Sequence, residues 1–193
     1  MSLVESSMME LGTKAPEFTL LDTVSGSQLS LPRALKHGDS DFTLKSPKAT
    51  VVMFICNHCP YVLHVNEALV HVTNEYQAKG IQFIAISSNN IETHPQDSPE
   101  RMTEVAKTLG YPFPYLYDET QEVARAYKAE CTPDFFVFDQ NLACVYRGRF
   151  DETRPNMGKA TGKDLSGALD AVLAGREVSE VQHPSMGCNI KWK

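Results

Sequence analysis

The sequence predicts a three-layer α/β fold, with helices on both faces of a central mixed sheet. Two nearly continuous apolar runs, 49–55 and 81–86, have the pattern of strands buried on both faces. Each run is followed by a segment with apolar residues at helical spacing. Right-handed crossovers make such strands parallel. Two later strands, 135–138 and 144–146, are joined by a short turn, so they add antiparallel strands to the same sheet.

The chain before the first buried strand predicts an N-terminal β lead-in. Residues 15–31 contain two short apolar segments that flank a turn at Ser25-Gly26-Ser27. Residues 31–46 contain proline, glycine and a polar stretch, and they are predicted to be irregular.

The first helix is predicted to begin at Pro60, because proline is favoured in a first helical turn, and to end at Gly80. Its apolar face contains Val62, Val65, Leu69, Val72 and Tyr76.

Three further helices are predicted. One follows Pro99 and stops at Gly110, since the prolines within 111–114 exclude a helix there. A short helix covers 120–127. The helix Lys163–Ala174 has its leucines on one face and closes the fold.

Length and composition predict one domain, 1–193, with 176–193 as a C-terminal tail without a strong pattern. Lysines and arginines are scattered and the net charge is −6, which argues against nucleic acid as a partner. No stretch has the length of a membrane span, and no signal-peptide pattern is present. Five irregularly spaced cysteines fit a reducing compartment. We therefore expect a cytoplasmic protein, and a homodimer is compatible with the sequence.

The motif Cys56-Asn57-His58-Cys59 lies between the first buried strand and the first helix. Two thiols three residues apart at a helix start lie on the same side and can form a bond. Backbone N–H groups and the helix dipole stabilise a thiolate there. We expect Cys56 to be the more acidic and more accessible thiol. A strand, a C-x-x-C motif and a helix in this order predict a dithiol redox site.

Three features together resemble the thioredoxin fold, in the branch that groups redoxins with the alkyl hydroperoxide reductase/thiol-specific antioxidant (AhpC/TSA) family. The C-x-x-C motif follows the first buried strand. Thr132-Pro133 precedes the strand 135–138, about where thioredoxins place a cis-proline that faces the dithiol. The segment 11–18 is similar to the redoxin lead-in G-x-x-A-P-x-F. The resemblance implies a thioredoxin-like three-layer α/β/α architecture.

The resemblance also implies a thiol–disulfide oxidoreductase without a cofactor. Cys56 would attack a disulfide of a protein or low-molecular-weight partner, and Cys59 would resolve the mixed disulfide. A histidine directly before the second cysteine, as in protein disulfide isomerase and DsbA, implies that His58 stabilises the thiolate and raises the reduction potential. The supporting residues are Asn57, His58, Cys131, Thr132 and Pro133.

Two alternatives remain open. Peroxiredoxins place Pro and Thr or Ser seven and three residues before their peroxidatic cysteine, whereas this chain has Ala49 and Met53. This difference weakens the alternative of a thiol-dependent, antioxidant peroxidase. The other alternative is a copper- or zinc-binding carrier that uses the cysteines with His58 or His64. The remaining cysteines supply no second ligand pair at suitable spacing, so no metal is predicted.

The three single cysteines are less informative. Cys131 is expected either near the dithiol or as a small buried apolar residue. Cys144 lies in an apolar strand and is expected in the core. Cys188 is on the unpatterned tail, where the sequence predicts no role. The buried acid that thioredoxins carry six positions before the first cysteine is replaced by Thr50, so proton transfer from Cys59 needs another group.

Overall fold

The computed structural model of the protein describes residues 2–32 and 46–193. Most of the predicted irregular segment 31–46 lies outside the described residues. The described strands are β1 (Leu3–Glu5), β2 (Phe18–Asp22), β3 (Gln28–Leu31), β4 (Ala49–Phe54), β5 (Ile81–Ser87), β6 (Tyr115–Tyr117), β7 (Cys131–Thr132), β8 (Asp134–Asp139), β9 (Cys144–Gly148) and β10 (Met186–Asn189). The described helices are α1 (Pro60–Gln77), α2 (Pro99–Leu109), α3 (Glu122–Ala126) and α4 (Lys163–Leu173), with one 3₁₀ turn at Pro95–Asp97.

A seven-stranded mixed sheet forms the centre of the protein, in the order β3-β2-β6-β5-β4-β8-β9. β4, β5 and β6 are parallel, whereas β2, β3, β8 and β9 pair antiparallel to their neighbours. All six residues of β4 are buried, as its continuous apolar run predicts for a central strand. The predicted mixed sheet, its N-terminal lead-in and its antiparallel hairpin are therefore confirmed.

The two faces of the sheet bury separate cores because successive strand residues point to opposite sides. Val51 and Met53 of β4 pack in the core that α1, α2 and α4 cover. Val52 and Phe54 pack in the second core, which α3 and the N-terminal lead-in cover. The three-layer architecture predicted from the sequence is thus present. No helix among the described residues is long and apolar enough to cross a membrane.

The main difference from the sequence prediction lies in the C-terminal segment. Instead of an unpatterned tail, it contains β10, the middle strand of a small second sheet in the order β1-β10-β7. In this sheet Cys188 is opposite Thr132 on one side and Leu3 on the other. The strand has four residues, one of them glycine, so it has no alternating apolar pattern that a sequence analysis could detect.

Gly187 is what allows β10 to approach β7 so closely. A Cβ atom on Gly187 would lie 2.0 Å from the carbonyl oxygen of Thr132, a backbone atom that cannot move aside alone. Any side chain at this position would therefore push the C-terminal strand away from the Thr132 backbone.

We expect Gly187→Ala to lower the free energy of unfolding by about 1–3 kcal/mol, the usual cost of overpacking. The measurement is urea denaturation followed by far-ultraviolet circular dichroism. Gly167→Ala is the matched control, because Gly167 lies in α4 with nothing within 4 Å of its added Cβ. That variant should be neutral or more stable by up to about 1 kcal/mol. Equal effects of the two substitutions would contradict a tight contact at Gly187.

Candidate active site

The C-x-x-C motif lies at the carboxyl end of β4. The N–H of Ile55 still donates to the carbonyl of Ile86, so the chain leaves the sheet only after this residue. Helix α1 begins at Pro60, and Cys59 is its N-cap residue. Both thiols are buried: Cys56 is 2% exposed and Cys59 is fully covered. All five cysteines are free thiols in this structure.

Thr132 contacts both sulfurs of the motif. Its hydroxyl oxygen lies 3.4 Å from Cys56 Sγ, and the Cys59 thiol donates to its carbonyl oxygen at 3.2 Å. The Thr132–Pro133 peptide bond is cis, as the sequence resemblance implies. The structure thus brings the predicted residue Thr132 to the dithiol from a position more than 70 residues away in the sequence, and Pro133 is the next residue in the chain.

Asn57 and His58, between the two cysteines, are both held by Asp97. The backbone N–H of Asn57 donates to Asp97 Oδ1 at 2.8 Å, and His58 Nδ1 lies 2.6 Å from Oδ2. The side-chain amide of Asn89 also donates to Oδ2, at 2.8 Å. Asp97 is completely buried. Burial opposes its ionisation, but these donors prevail and lower the pKa of Asp97 below its usual value.

Sequence reasoning missed Asp97, although one signal pointed to its neighbourhood. β4 and β5 are adjacent and parallel, so the loops that follow them meet at the same edge of the sheet. The loop after β5 is unusually polar and contains Asn89, Asn90 and Asp97. A buried carboxylate from that loop is therefore a reasonable partner for the C-x-x-C loop. Which of its residues turns inward is decided by the 3₁₀ turn, which sequence spacing does not reveal.

The titrations of the two thiols are coupled, so ionisation of one opposes ionisation of the other. The Cys56 thiol, as a hydrogen-bond donor, together with the nearby N–H groups of Val62 and Cys188, lowers the pKa of Cys59 to about 5. The interaction with Cys59, burial and the Asp97 carboxylate raise the pKa of Cys56. The hydrogen bond from the Cys59 thiol to the Thr132 carbonyl requires a proton on Cys59, so the greater acidity of Cys56 stays a prediction. The helix begins after Cys59, so the positive end of its dipole lies nearest this sulfur.

The three remaining cysteines are buried as well. Cys131 lies beside Thr132, but its sulfur faces the carbonyl of Ser185 at 3.9 Å, and burial raises its pKa. Cys144 belongs to the second core, as expected. Cys188 packs in the same core as Cys56 and Cys59, and its thiol interacts with the Cys59 sulfur.

Three potential metal ligands meet at the motif. One donor atom each from Cys56, His58 and Asp97 lies within 4.8 Å of the others, and no further donor joins this group among the described residues. His64 does not take part, since its Nε2 lies 2.8 Å from the Thr153 hydroxyl. The group therefore offers three ligands, one fewer than a closed structural zinc site requires.

A cleft of about 190 Å³ opens beside Pro133. Its walls come from the start of α1, from the segment after β9 and from the residues before β10, and they include Tyr61, His64, Arg149, Asp151 and His183. Arg149 is held by Asp164 at 2.5 Å. Neither Cys56 nor Cys59 lines the cleft, which reaches the site at Pro133 and Tyr61.

The family model described as AhpC/TSA family matches residues 11–147, more than half of the chain. The chain belongs to the AhpC/TSA family. A comparison with curated proteins found no match.

Solved structures of high similarity include two proteins without a stated function. An uncharacterised conserved protein from Geobacillus kaustophilus is 55% identical with a TM-score of 0.92, over 100% of this chain and 97% of that one. A hypothetical protein from Sinorhizobium meliloti is 43% identical with a TM-score of 0.89, over 98% of each chain. A putative thiol:disulfide interchange protein DsbE from Chlorobium tepidum is 19% identical with a TM-score of 0.63, over 86% of this chain and 99% of that one. The last similarity shows the thioredoxin-like fold.

This AhpC/TSA protein differs from the peroxiredoxin pattern where a peroxide would be oriented. Met53 stands at the position of the usual hydroxyl residue and is fully buried in the core, as is Ala49 at the position of the usual proline. The hydroxyl nearest to Cys56 is that of Thr132, which comes from the proline loop. The site therefore combines an AhpC/TSA scaffold with two cysteines at C-x-x-C spacing.

We expect Asp97→Asn to lower the pKa of Cys56, because the carboxylate charge raises it. The measurement is the pH dependence of Cys56 alkylation by iodoacetamide in the reduced protein, located by tandem mass spectrometry. Asp118→Asn is the control, since Asp118 is equally buried but bonds to Ser88 and to the N–H of Ala124. An unchanged or raised alkylation midpoint in Asp97→Asn would contradict this electrostatic role.

Proposed function

We propose that this protein is a thiol–disulfide oxidoreductase that exchanges a Cys56–Cys59 dithiol with disulfides of protein or low-molecular-weight partners, without a prosthetic group. The observation that supports this most directly is the contact of both sulfurs with Thr132 beside the cis-proline. One residue there offers a hydroxyl to Cys56 and a carbonyl to Cys59.

These two contacts suit the attack of Cys56 on a disulfide. The Thr132 hydroxyl can donate a hydrogen bond to a Cys56 thiolate, while the Thr132 carbonyl accepts a hydrogen bond from a Cys59 thiol. Cys56 precedes the helix while Cys59 is its N-cap residue, so we assign the first attack to Cys56.

The exchange proceeds in two balanced steps. The Cys56 thiolate forms a bond to one sulfur of the partner disulfide, and the other partner sulfur leaves as a thiolate. Cys59, after losing its proton, attacks Cys56 Sγ in the mixed disulfide and expels the second partner thiolate. The partner gains two electrons, and the protein is left with a Cys56–Cys59 disulfide.

The cleft beside Pro133 is the docking site that we assign to the partner. Its volume of about 190 Å³ accommodates a side chain or a small peptide segment rather than a large cofactor. The odd number and irregular spacing of the cysteines fit a reducing compartment, and we propose the cytoplasm.

Single cysteine variants test the proposal. We expect Cys56→Ser to abolish reduction of insulin and of glutathione disulfide, because the thiol to which we assign the first attack is missing. Cys59→Ser should lose turnover but accumulate a mixed disulfide at Cys56, which mass spectrometry under non-reducing conditions detects. Cys144→Ser is the control and should keep full activity, because Cys144 lies in the other core.

Two parallel measurements address the alternatives. Peroxide consumption with a thiol donor, in the absence of disulfide reduction, would overturn the proposal in favour of a thiol peroxidase. Stoichiometric copper or zinc in the purified protein, lost on substitution of His58, would instead support a metal carrier that uses Cys56, His58 and Asp97.

We expect His58→Gln to lower the reduction potential of the dithiol by about 30 mV or less, which corresponds to about 1.4 kcal/mol. An imidazole beside Cys56 can stabilise the thiolate-bearing reduced form, whereas the adjacent Asp97 carboxylate opposes it. The measurement is equilibration with glutathione buffers. His71→Gln on the exposed side of α1 is the control and should leave the potential unchanged. An unchanged potential in His58→Gln would exclude His58 from redox tuning.

A further inference from the structure

Cys188 lies at the dithiol because of the register between β10 and β7. Residues directly opposite each other in an antiparallel pair project their side chains to the same face. Cys188 is opposite Thr132, whose hydroxyl contacts Cys56. The Cys188 side chain therefore points to the same side as the Thr132 hydroxyl. It is 6% exposed and packs in the core that contains both active-site cysteines.

The position of Cys188 is fixed on both sides. β10 pairs with β1 through three residue pairs and with β7 through two. The N–H of Ile190 also donates to the carbonyl of Glu130 at 3.0 Å, and the N–H of Lys191 donates to Asn89 Oδ1 at 2.8 Å. The last bond joins the C-terminal segment to the residue that also holds Asp97. The third thiol is thus part of the same framework as the motif.

The three thiols form a chain in which Cys59 is the middle member. Cys59 interacts with Cys56 on one side and with the thiol and backbone N–H of Cys188 on the other. Cys188 in turn interacts with Cys59. A sulfur in the middle of such a chain can form a disulfide with either neighbour.

We propose that Cys188 is a third redox cysteine, which attacks Cys59 in the Cys56–Cys59 disulfide, forms a Cys59–Cys188 disulfide and releases Cys56 as a free thiol. This proposal extends the proposed function and rests on it. One S–S bond breaks and one forms, and the proton of Cys188 passes to the Cys56 sulfur. The step is an isomerisation, so it needs no oxidant or reductant.

The charge state of the pair favours this order of events. Burial and the neighbouring Cys59 raise the pKa of Cys188 to about 12 in the reduced protein. Formation of the Cys56–Cys59 disulfide removes the charge on Cys59 and with it that contribution. Cys188 is therefore a better nucleophile in the oxidised protein, when its target disulfide exists, than in the reduced one.

The isomerisation would change what Cys56 can do. With Cys59 bonded to Cys188, a mixed disulfide at Cys56 has no resolving partner within the site. Cys56 then exchanges as a single thiol while the oxidised pair stays buried beneath Thr132 and β10. The C-terminal strand would thus convert a two-cysteine reductase into a one-cysteine exchanger.

Peptide mapping under non-reducing conditions tests the proposal. Trypsin leaves Cys56 and Cys59 together in peptide 49–79 and Cys188 in peptide 177–191, so a bond from Cys188 to either one joins the two peptides. Cys56→Ser and Cys59→Ser are oxidised with diamide, which accepts the two electrons and two protons. We expect oxidised Cys56→Ser to contain the two peptides joined by a Cys59–Cys188 disulfide. Oxidised Cys59→Ser should contain them as separate peptides, because the partner of Cys188 is missing. The Cys144→Ser protein, equilibrated in a glutathione buffer, should show the joined peptides as the wild type does.

The proposal is overturned if Cys59 and Cys188 of oxidised Cys56→Ser are recovered as separate alkylated peptides. It is equally overturned if the cross-link forms to the same extent in Cys59→Ser, since Cys56 would then be the partner of Cys188. Neither of these two cross-linking results depends on whether the protein reduces disulfides catalytically. A wild-type protein that fails to reduce insulin or glutathione disulfide would refute the proposed function, while the cross-link in Cys56→Ser would still report on Cys188.

Discussion

The contact of Thr132 with both sulfurs of the C-x-x-C motif is the interaction on which the site depends. It joins the loop after β4 to the segment before β8. These two strands are antiparallel neighbours in the central sheet. The same residue is the pairing partner of Cys188 in the small sheet. Through Thr132, the motif, the proline loop and the C-terminal strand occupy fixed positions relative to one another.

Asp97 provides the second constraint, from the opposite side of the motif. A buried carboxylate is costly unless donors surround it. Here the donors are a backbone N–H of the motif, an asparagine amide and, at ion-pair distance, the imidazole of His58. The acid that thioredoxins carry on the central strand is absent, since Thr50 occupies that position. Asp97 places a negative charge near Cys56 instead, where it raises the pKa of that thiol and opposes its ionisation.

Where the helix begins decides which sulfur lies nearest to the positive end of the helix dipole. The helix dipole acts over about one turn, and its N–H groups point at the N-cap residue. Because α1 begins at Pro60, Cys59 receives this stabilisation, while Cys56 lies outside the helix beside Asp97. Attack by Cys56 then depends on Thr132, which can supply a donor to one sulfur and an acceptor to the other.

The sequence by itself determined the sheet, the helices and the position of the C-x-x-C motif, because apolar periodicity and proline and glycine positions are local signals. It also identified Thr132 and Pro133 through a family resemblance. It could not show Asp97 or Cys188. Both reach the motif through contacts with residues 39 or more positions away, and neither lies in a patterned segment. Only the tertiary structure decided these contacts, since the register of β10 and the inward turn of the loop after β5 result from packing between distant segments.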